Sequence, residues 1–182
     1  MKKDKLTTRD LCMIAIMAAV TAVMAQISIP MPLGVPMTMQ TFAVTLAAIL
    51  LGAKRSSISM CIYLLLGAVG LPVFANFNGG FQNIIGPTGG FLISFPLMAF
   101  LIGLAMNYRK NKWIFVTLIT AGTVVNYIIG VAMFCIITGS SLMTGISACV
   151  LPFIPTAIIK AVLATALGLE LRKRLQFVFQ QA

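Results

Sequence analysis

The chain alternates long apolar runs with short polar joints. Six runs stand out, from about Leu11 to Ile29, Met37 to Gly52, Ser57 to Phe77, Phe91 to Met106, Trp113 to Thr138 and Leu151 to Leu171. They are apolar all round, with no polar face to offer water, and crossing a bilayer core takes about 20 such residues. The pattern therefore predicts an all-α membrane protein, a six-transmembrane-helix bundle whose second run is short. Pro30 and the loop MPLGVP, Met31 to Pro36, close the first run. A Gly- and Asn-rich stretch, Asn76 to Gly90, separates the third from the fourth. The polar turn GSSLMTG, Gly139 to Gly145, leads into the sixth. Runs two to four are candidates for broken or re-entrant helices, whose irregular backbone must be buried or line a cavity. The basic residues ahead of the first run resemble a signal peptide. No small-residue cleavage site follows, however, and the run is as long as a membrane span, so it is read as the first helix.

Composition agrees. Of 182 residues, 60% are hydrophobic and 9% charged, against about 25% charged in ordinary soluble domains. The length fits one bundle, so residues 1–182 are read as a single integral membrane substrate-binding domain.

Charge then orients the bundle. The net charge is +10, but the basic residues form short clusters rather than a stripe interleaved with stacking aromatics, which argues against nucleic acid. Lys2, Lys3, Lys5 and Arg9 precede run one, and Lys54 and Arg55 follow run two. Arg109, Lys110 and Lys112 separate runs four and five, and Arg172, Lys173 and Arg174 follow run six. Every cluster falls at a terminus or after an even-numbered run, so the positive-inside rule places both termini in the cytoplasm of a multi-pass plasma-membrane protein. The three acids, Asp4, Asp10 and Glu170, lie near that same face.

The thirteenth basic residue, Lys160, lies inside LPFIPTAIIKAVLA, Leu151 to Ala164. A lysine at membrane depth costs roughly 3 kcal/mol on insertion scales. Glu170 is about 15 Å further along the helix at 1.5 Å per residue, beyond the reach of the ammonium. Three offsets are open: snorkelling to the outer interface, loss of the proton, or an anion brought from outside. The last is favoured, with a carboxylate as the commonest small anion.

Gln26, Gln40, Asn83, Asn126 and Tyr127 are further polar groups within or beside the apolar runs. Amides both donate and accept, which suits a neutral polar head group, although interhelical hydrogen bonding is the plainer use. Gly89 of the sequence GPTGG is grouped with these candidates. Phe74, Phe77, Phe81, Phe91 and Trp113 are expected in the core, against lipid or at the interface rather than as ligand walls. The cysteines Cys12, Cys61, Cys135 and Cys149 lack metal-ligand spacing and histidine partners, so they are read as small buried side chains, with no metal site. IGPTGG lacks the lysine and hydroxyl of a phosphate loop, so no catalytic residue, ATPase or cofactor is expected here. Ala15, Ala18, Ala19 and Ala22 in run one have the spacing that lets helices approach closely, within the bundle or against a partner.

Three motifs carry a resemblance: LGAVGLPVF (Leu66 to Phe74), GPTGGFLISFP (Gly86 to Pro96) and LPFIPTAIIKAVLA (Leu151 to Ala164). With the charge clusters and the alanine-rich first run, the chain resembles the biotin-specific S-components of energy-coupling-factor (ECF) transporters, the BioY family. The resemblance implies a six-helix S-component that takes up biotin from outside. A T-component membrane protein and two ATP-binding-cassette ATPases would energise it. It implies that Lys160 meets the biotin carboxylate, and that the alanines from Ala15 to Ala22 meet the T-component. The chain departs from the family at Thr156 and Ala157, where many members read Gly-Asp. An amide, from Asn83 or Asn126, is expected to supply the acceptor that this acid would give. The rival expectation is an autonomous secondary carrier for biotin or another small carboxylic acid. Proton coupling, however, usually needs an intramembrane Asp, Glu or His.

Overall fold

The computed structural model describes residues 6–31 and 35–174. Lys2, Lys3, Asp4 and Lys5 lie outside the described residues, as do 32–34 in the first loop and 175–182. Helix α1 runs Thr8–Gln26. It starts in a capping box: the Thr7 hydroxyl accepts from the Asp10 backbone N–H, and the Asp10 carboxylate accepts from the Thr7 N–H. These bonds satisfy two N–H groups, one of them left over at the helix start. The short strands β1 (Ser28–Ile29) and β2 (Met37–Thr38) then pair antiparallel, with Ser28 opposite Thr38.

Helix α2, Gln40–Ala68, covers both the second and third apolar runs. It is interrupted at Gly52, whose φ of 75° and ψ of −179° is a conformation close to glycine-only. The two arms fold back on each other there. The Gln40 Nε2 donates to the Tyr63 hydroxyl at 2.6 Å across 23 residues, a separation of about 35 Å along a straight helix. The fold-back exposes carbonyls at the end of the first arm. Arg172 Nη1 donates to the carbonyls of Ile49 and Leu50 at 2.9 and 3.2 Å, and the Ser56 hydroxyl donates to Gly52 O at 2.6 Å. The second arm ends at Ala68 rather than reaching Phe77 as the hydropathy pattern suggested, because Gly70 turns the chain at φ 104° and Pro72 cannot continue a helix.

Four more helices follow the short helix α3, Phe81–Ile85. They are α4 (Gly89–Ala105), α5 (Lys112–Thr138), α6 (Leu142–Cys149) and α7 (Ile154–Arg174). Helix α6 occupies much of what reads in sequence as a polar turn, since Ser141 caps it by accepting from the Thr144 N–H. Five helical stretches among the described residues are long and apolar enough to cross a membrane: α1, α2, Gly89–Tyr108, α5 and Leu142–Arg174. The hydropathy pattern counts six because it reads the two arms of α2 separately.

Packing follows small residues. Gly103 of α4 lies against Ala53 and the Gly52 backbone, where a Cβ would clash. Gly122, Asn126, Gly130 and Phe134 form the buried stripe of α5, four residues apart, and Gly130 receives the Phe91 ring. Val131 is buried beside that stripe, and Trp113, Val116, Val124, Ile128 and Ile136 face outward. Two apolar clusters result. One joins α1, α2, α4 and α7 around Ile14, Ile49, Met60, Tyr63 and Met98. The other gathers Val35, Val131, Phe134, Cys149 and Phe153. Cys12 and Cys61 are exposed on the outer surface, contrary to the buried placement expected for them, and Cys149 is buried.

Candidate binding site

A cavity of about 220 Å³ opens at the seam between the two clusters, lined by residues of both. Its apolar wall is Val35, Phe74, Phe91, Leu92, Phe95 and Phe153, and its polar lining includes Thr38, Gln40, Thr41, Asn83, Asn126, Tyr127 and Lys160. An aromatic-walled cleft with a few placed polar groups is the usual build of a small-molecule site. The sequence-nominated residues Lys160, Asn83, Asn126, Tyr127 and Gln40 therefore meet in one place, though they come from four helices. Gly89 is absent from the lining. It is buried where a Cβ would meet the Ile84 carbonyl and Met133, so its contribution is close packing behind the wall. Phe74 packs in the first cluster and Phe91 against the second, as expected for core residues, and both also line the cavity, whereas Phe77, Phe81 and Trp113 are exposed.

Lys160 lies on the inward stripe of α7 with Ala164 and Gly168 and is 8% exposed. Its Nζ donates to the Thr38 carbonyl at 3.0 Å. Among the described residues no carboxylate reaches it: Asp10 pairs with Arg55 at 3.1 Å, and Glu170 pairs with Lys173 and Arg174. A buried ammonium needs more than one neutral acceptor to offset lost hydration, which makes this end of the cavity receptive to an anion.

From Thr38 a chain of hydrogen bonds continues across the cavity floor. The Thr38 hydroxyl donates to Gln40 Oε1 at 2.7 Å, Gln40 Nε2 donates to Tyr63 Oη at 2.6 Å, and the Tyr63 hydroxyl donates to the Val73 carbonyl at 3.0 Å. Within this chain Gln40 Oε1 and one N–H of its Nε2 are engaged by protein groups.

The two asparagines present their carbonyl ends. Asn126 Nδ2 donates to the Phe91 carbonyl at 3.0 Å and to Ser94 Oγ at 2.7 Å. Asn83 Nδ2 donates to the Gly79 carbonyl at 2.8 Å. In each, Oδ1 is the unengaged end, an acceptor. Thr41, not nominated from sequence, adds a hydroxyl that is buried with no hydrogen-bond partner. It lines both the main cavity and an adjoining void of about 10 Å³ bounded by Tyr127, Ala157 and Lys160. The sequence signal for Thr41 was its place beside Thr38 and Gln40 at the mouth of a run otherwise apolar. Gln26 turns away from the cavity lining and bonds the 74–77 segment instead.

The alanines of α1 divide. Ala15 and Ala19 are exposed, Ala22 is half-buried, and Ala18 is buried against the core.

Comparison with known proteins bears directly on this arrangement. The model of the BioY family matches residues 1–177. The chain is 40% identical over 165 residues to the Thermotoga maritima protein named biotin transporter BioY, covering 91% of this chain and 96% of that one. It is 39% identical over 166 residues to a probable biotin transporter BioY of Pyrococcus horikoshii, covering 90% and 96%. Its fold is similar to the crystal structure of the S-component for biotin from an ECF-type ABC transporter, with a TM-score of 0.81, 30% identity, and coverage of 93% of this chain and 95% of that one.

Proposed function

The chain belongs to the BioY family, and on that premise we propose that it captures biotin from outside the cell as the S-component of an ECF transporter. It is a transport protein of the plasma membrane rather than an enzyme, and biotin is its substrate rather than a cofactor. The observation that carries the reading is the buried Lys160 ammonium, which has a single carbonyl partner at the end of an aromatic-walled cavity. A valerate carboxylate replaces the Thr38 carbonyl or joins it on Nζ, giving the charge-assisted bond that the chain itself withholds. The apolar chain and thioether ring suit the Phe74, Phe91, Phe95 and Phe153 walls. The ureido N–H groups suit the acceptor ends of Asn83 and Asn126, and the hydroxyls of Thr41 and Tyr127, which border the same small void as Lys160, suit the carboxylate end. Gln40 holds the floor beneath the ligand.

In this reading the whole chain is one substrate-binding unit. The two arms of α2 count as separate spans, giving six with both termini in the cytoplasm, as the basic clusters require. The exposed pair Ala15 and Ala19, with Ala22 beside them, forms the surface against which a T-component helix packs, and Ala18 serves the bundle interior. Two ATP-binding-cassette ATPases supply the energy, since no phosphate loop occurs in this chain. Titrating the purified chain alone, in detergent, with biotin tests the reading. One biotin bound per chain is expected, and an absence of saturable binding overturns it.

A further inference from the structure

The wall of the cavity contains a turn that its own residues do not favour. Asn76 and Phe77 are consecutive and both left-handed, at φ 59° and 56°. Asparagine tolerates this conformation, but an aromatic residue seldom adopts it. Phe77 gains little from packing there, since the residue is 72% exposed. Something else must hold the turn. Phe74, Ala75, Asn76 and Asn78 of this segment line the cavity, so whatever holds the turn also holds the site.

The holder comes from another helix. Gln26, the last residue of α1, brackets the turn with its single carboxamide. Its Nε2 donates to the Phe74 carbonyl at 3.0 Å, and its Oε1 accepts from the Phe77 N–H at 2.8 Å. A third bond, from Nε2 to the Ala22 carbonyl at 3.1 Å, fixes the side chain to its own helix. Inside the turn the remaining bonds are local: the Phe74 N–H donates to Asn78 O, and Asn78 donates to Ala75 O. On the other flank, Tyr63 holds the Val73 carbonyl. Phe74 is anchored by its own ring, buried against Tyr63 and Gly67, and Gly80 bonds the Gly67 carbonyl at 2.7 Å; between these anchors, the Gln26 carboxamide ties the left-handed residues to α1.

We propose that Gln26 is a positioning residue for ligand retention, a latch that keeps the 74–78 turn closed on the cavity without touching the ligand. This rests on the cavity being the biotin site. The latch acts on escape more than on entry. Freed from Gln26, Phe77 relaxes toward ordinary backbone angles and residues 75–78 draw back from the cavity, while the Phe74 ring stays in the core.

The experiment compares Gln26→Ala, Gln26→Glu, Phe77→Gly and the double variant Gln26→Ala/Phe77→Gly. Radiolabelled biotin dissociation and association rates would be read for each, with backbone hydrogen exchange of the 74–78 segment in ligand-free protein. Gln26→Ala is expected to raise the dissociation rate about tenfold, the effect of one or two lost hydrogen bonds, with the association rate within about threefold of the original. Exchange of the Phe77 amide accelerates. Gln26→Glu keeps the acceptor for Phe77 and loses the donor to Phe74, so it falls between. In the double variant, glycine adopts the left-handed angle without strain, and slow dissociation returns in part. That rescue separates a latch from simple loss of packing at the end of α1. An unchanged dissociation rate in Gln26→Ala overturns the proposal, as does a raised rate that Phe77→Gly leaves uncorrected. If the unaltered chain does not bind biotin, the functional reading falls. The hydrogen-exchange comparison still decides whether Gln26 holds the turn.

Discussion

The two ends of the first α2 arm handle polar groups in opposite ways. At the Gly52 end the buried polar groups have protein partners. Asp10 caps α1 and pairs with Arg55, Arg172 covers the carbonyls of Ile49 and Leu50, and Ser56 covers Gly52. At the Gln40 end the groups are left wanting. The Thr41 hydroxyl has no partner, Lys160 has one carbonyl, and Asn83 and Asn126 bond the protein through Nδ2 and not through Oδ1. Unpaired buried polar groups are rare and costly in a folded protein. The contrast agrees with the proposed site: the satisfied end holds the fold, and the unsatisfied end has polar groups left to meet a ligand.

Substitutions can break that division. The largest effect is expected for Gly52→Val, where a β-branched residue is forced into a positive-φ conformation. It should lose about 3 kcal/mol of stability, read from the thermal midpoint in detergent, while biotin affinity of the folded fraction stays within about twofold. A large affinity loss would mean that the two ends are coupled.

Thr41→Val tests the opposite end. It should weaken biotin about tenfold, roughly 1.4 kcal/mol, and leave stability unchanged or slightly improved, because a partnerless hydroxyl is removed from a buried place. Lower stability with unchanged affinity would make Thr41 a packing residue. Asn83→Ala and Asn126→Ala sharpen the assignment of acceptors. At least one should cost about 1 kcal/mol of affinity in calorimetric titration, and unchanged affinity in both would exclude the amides as replacements for the family acid. Asn126→Ala also loses some stability, since its amide ties Phe91 and Ser94. The smallest effect is expected for Asp10→Asn, about 0.5–1 kcal/mol of stability from the weakened pair with half-exposed Arg55, and none on biotin.

How far sequence reached differs between these same regions. Lys160 was legible because charge in an apolar run is conspicuous, and the absence of a nearby acid could be counted along the chain. Asn83, Asn126, Tyr127 and Gln40 stood out for the same reason. The break in α2 was half legible: Lys54 and Arg55 marked a boundary, but only the bond between Gln40 and Tyr63 reveals the arms folding back. Thr41 was missed because a threonine at a helix mouth is ordinary, and its lack of a partner is a property of the packed site. Phe74 and Phe91 pack with the apolar clusters as hydropathy suggests, but hydropathy cannot tell which core aromatics also border a cavity. Gly89 and Gln26 have roles in close packing and in bracketing a distant turn, and neither depends on spacing along the chain. Helix α6 was hidden by Ser140, Ser141 and Thr144, whose polarity read as a turn although Ser141 caps a helix.

The central claim is that Lys160 is held for a carboxylate, and a comparison of biotin with biotin amide tests it most directly. Both ligands would be titrated against the unaltered chain and Lys160→Ala. The unaltered chain should prefer the acid by about a hundredfold, the scale of a desolvated charge pair, and Lys160→Ala should bring the two ligands to within about threefold by weakening the acid far more than the amide. Equal losses for acid and amide would contradict the account and reduce Lys160 to a tether for the Thr38 carbonyl.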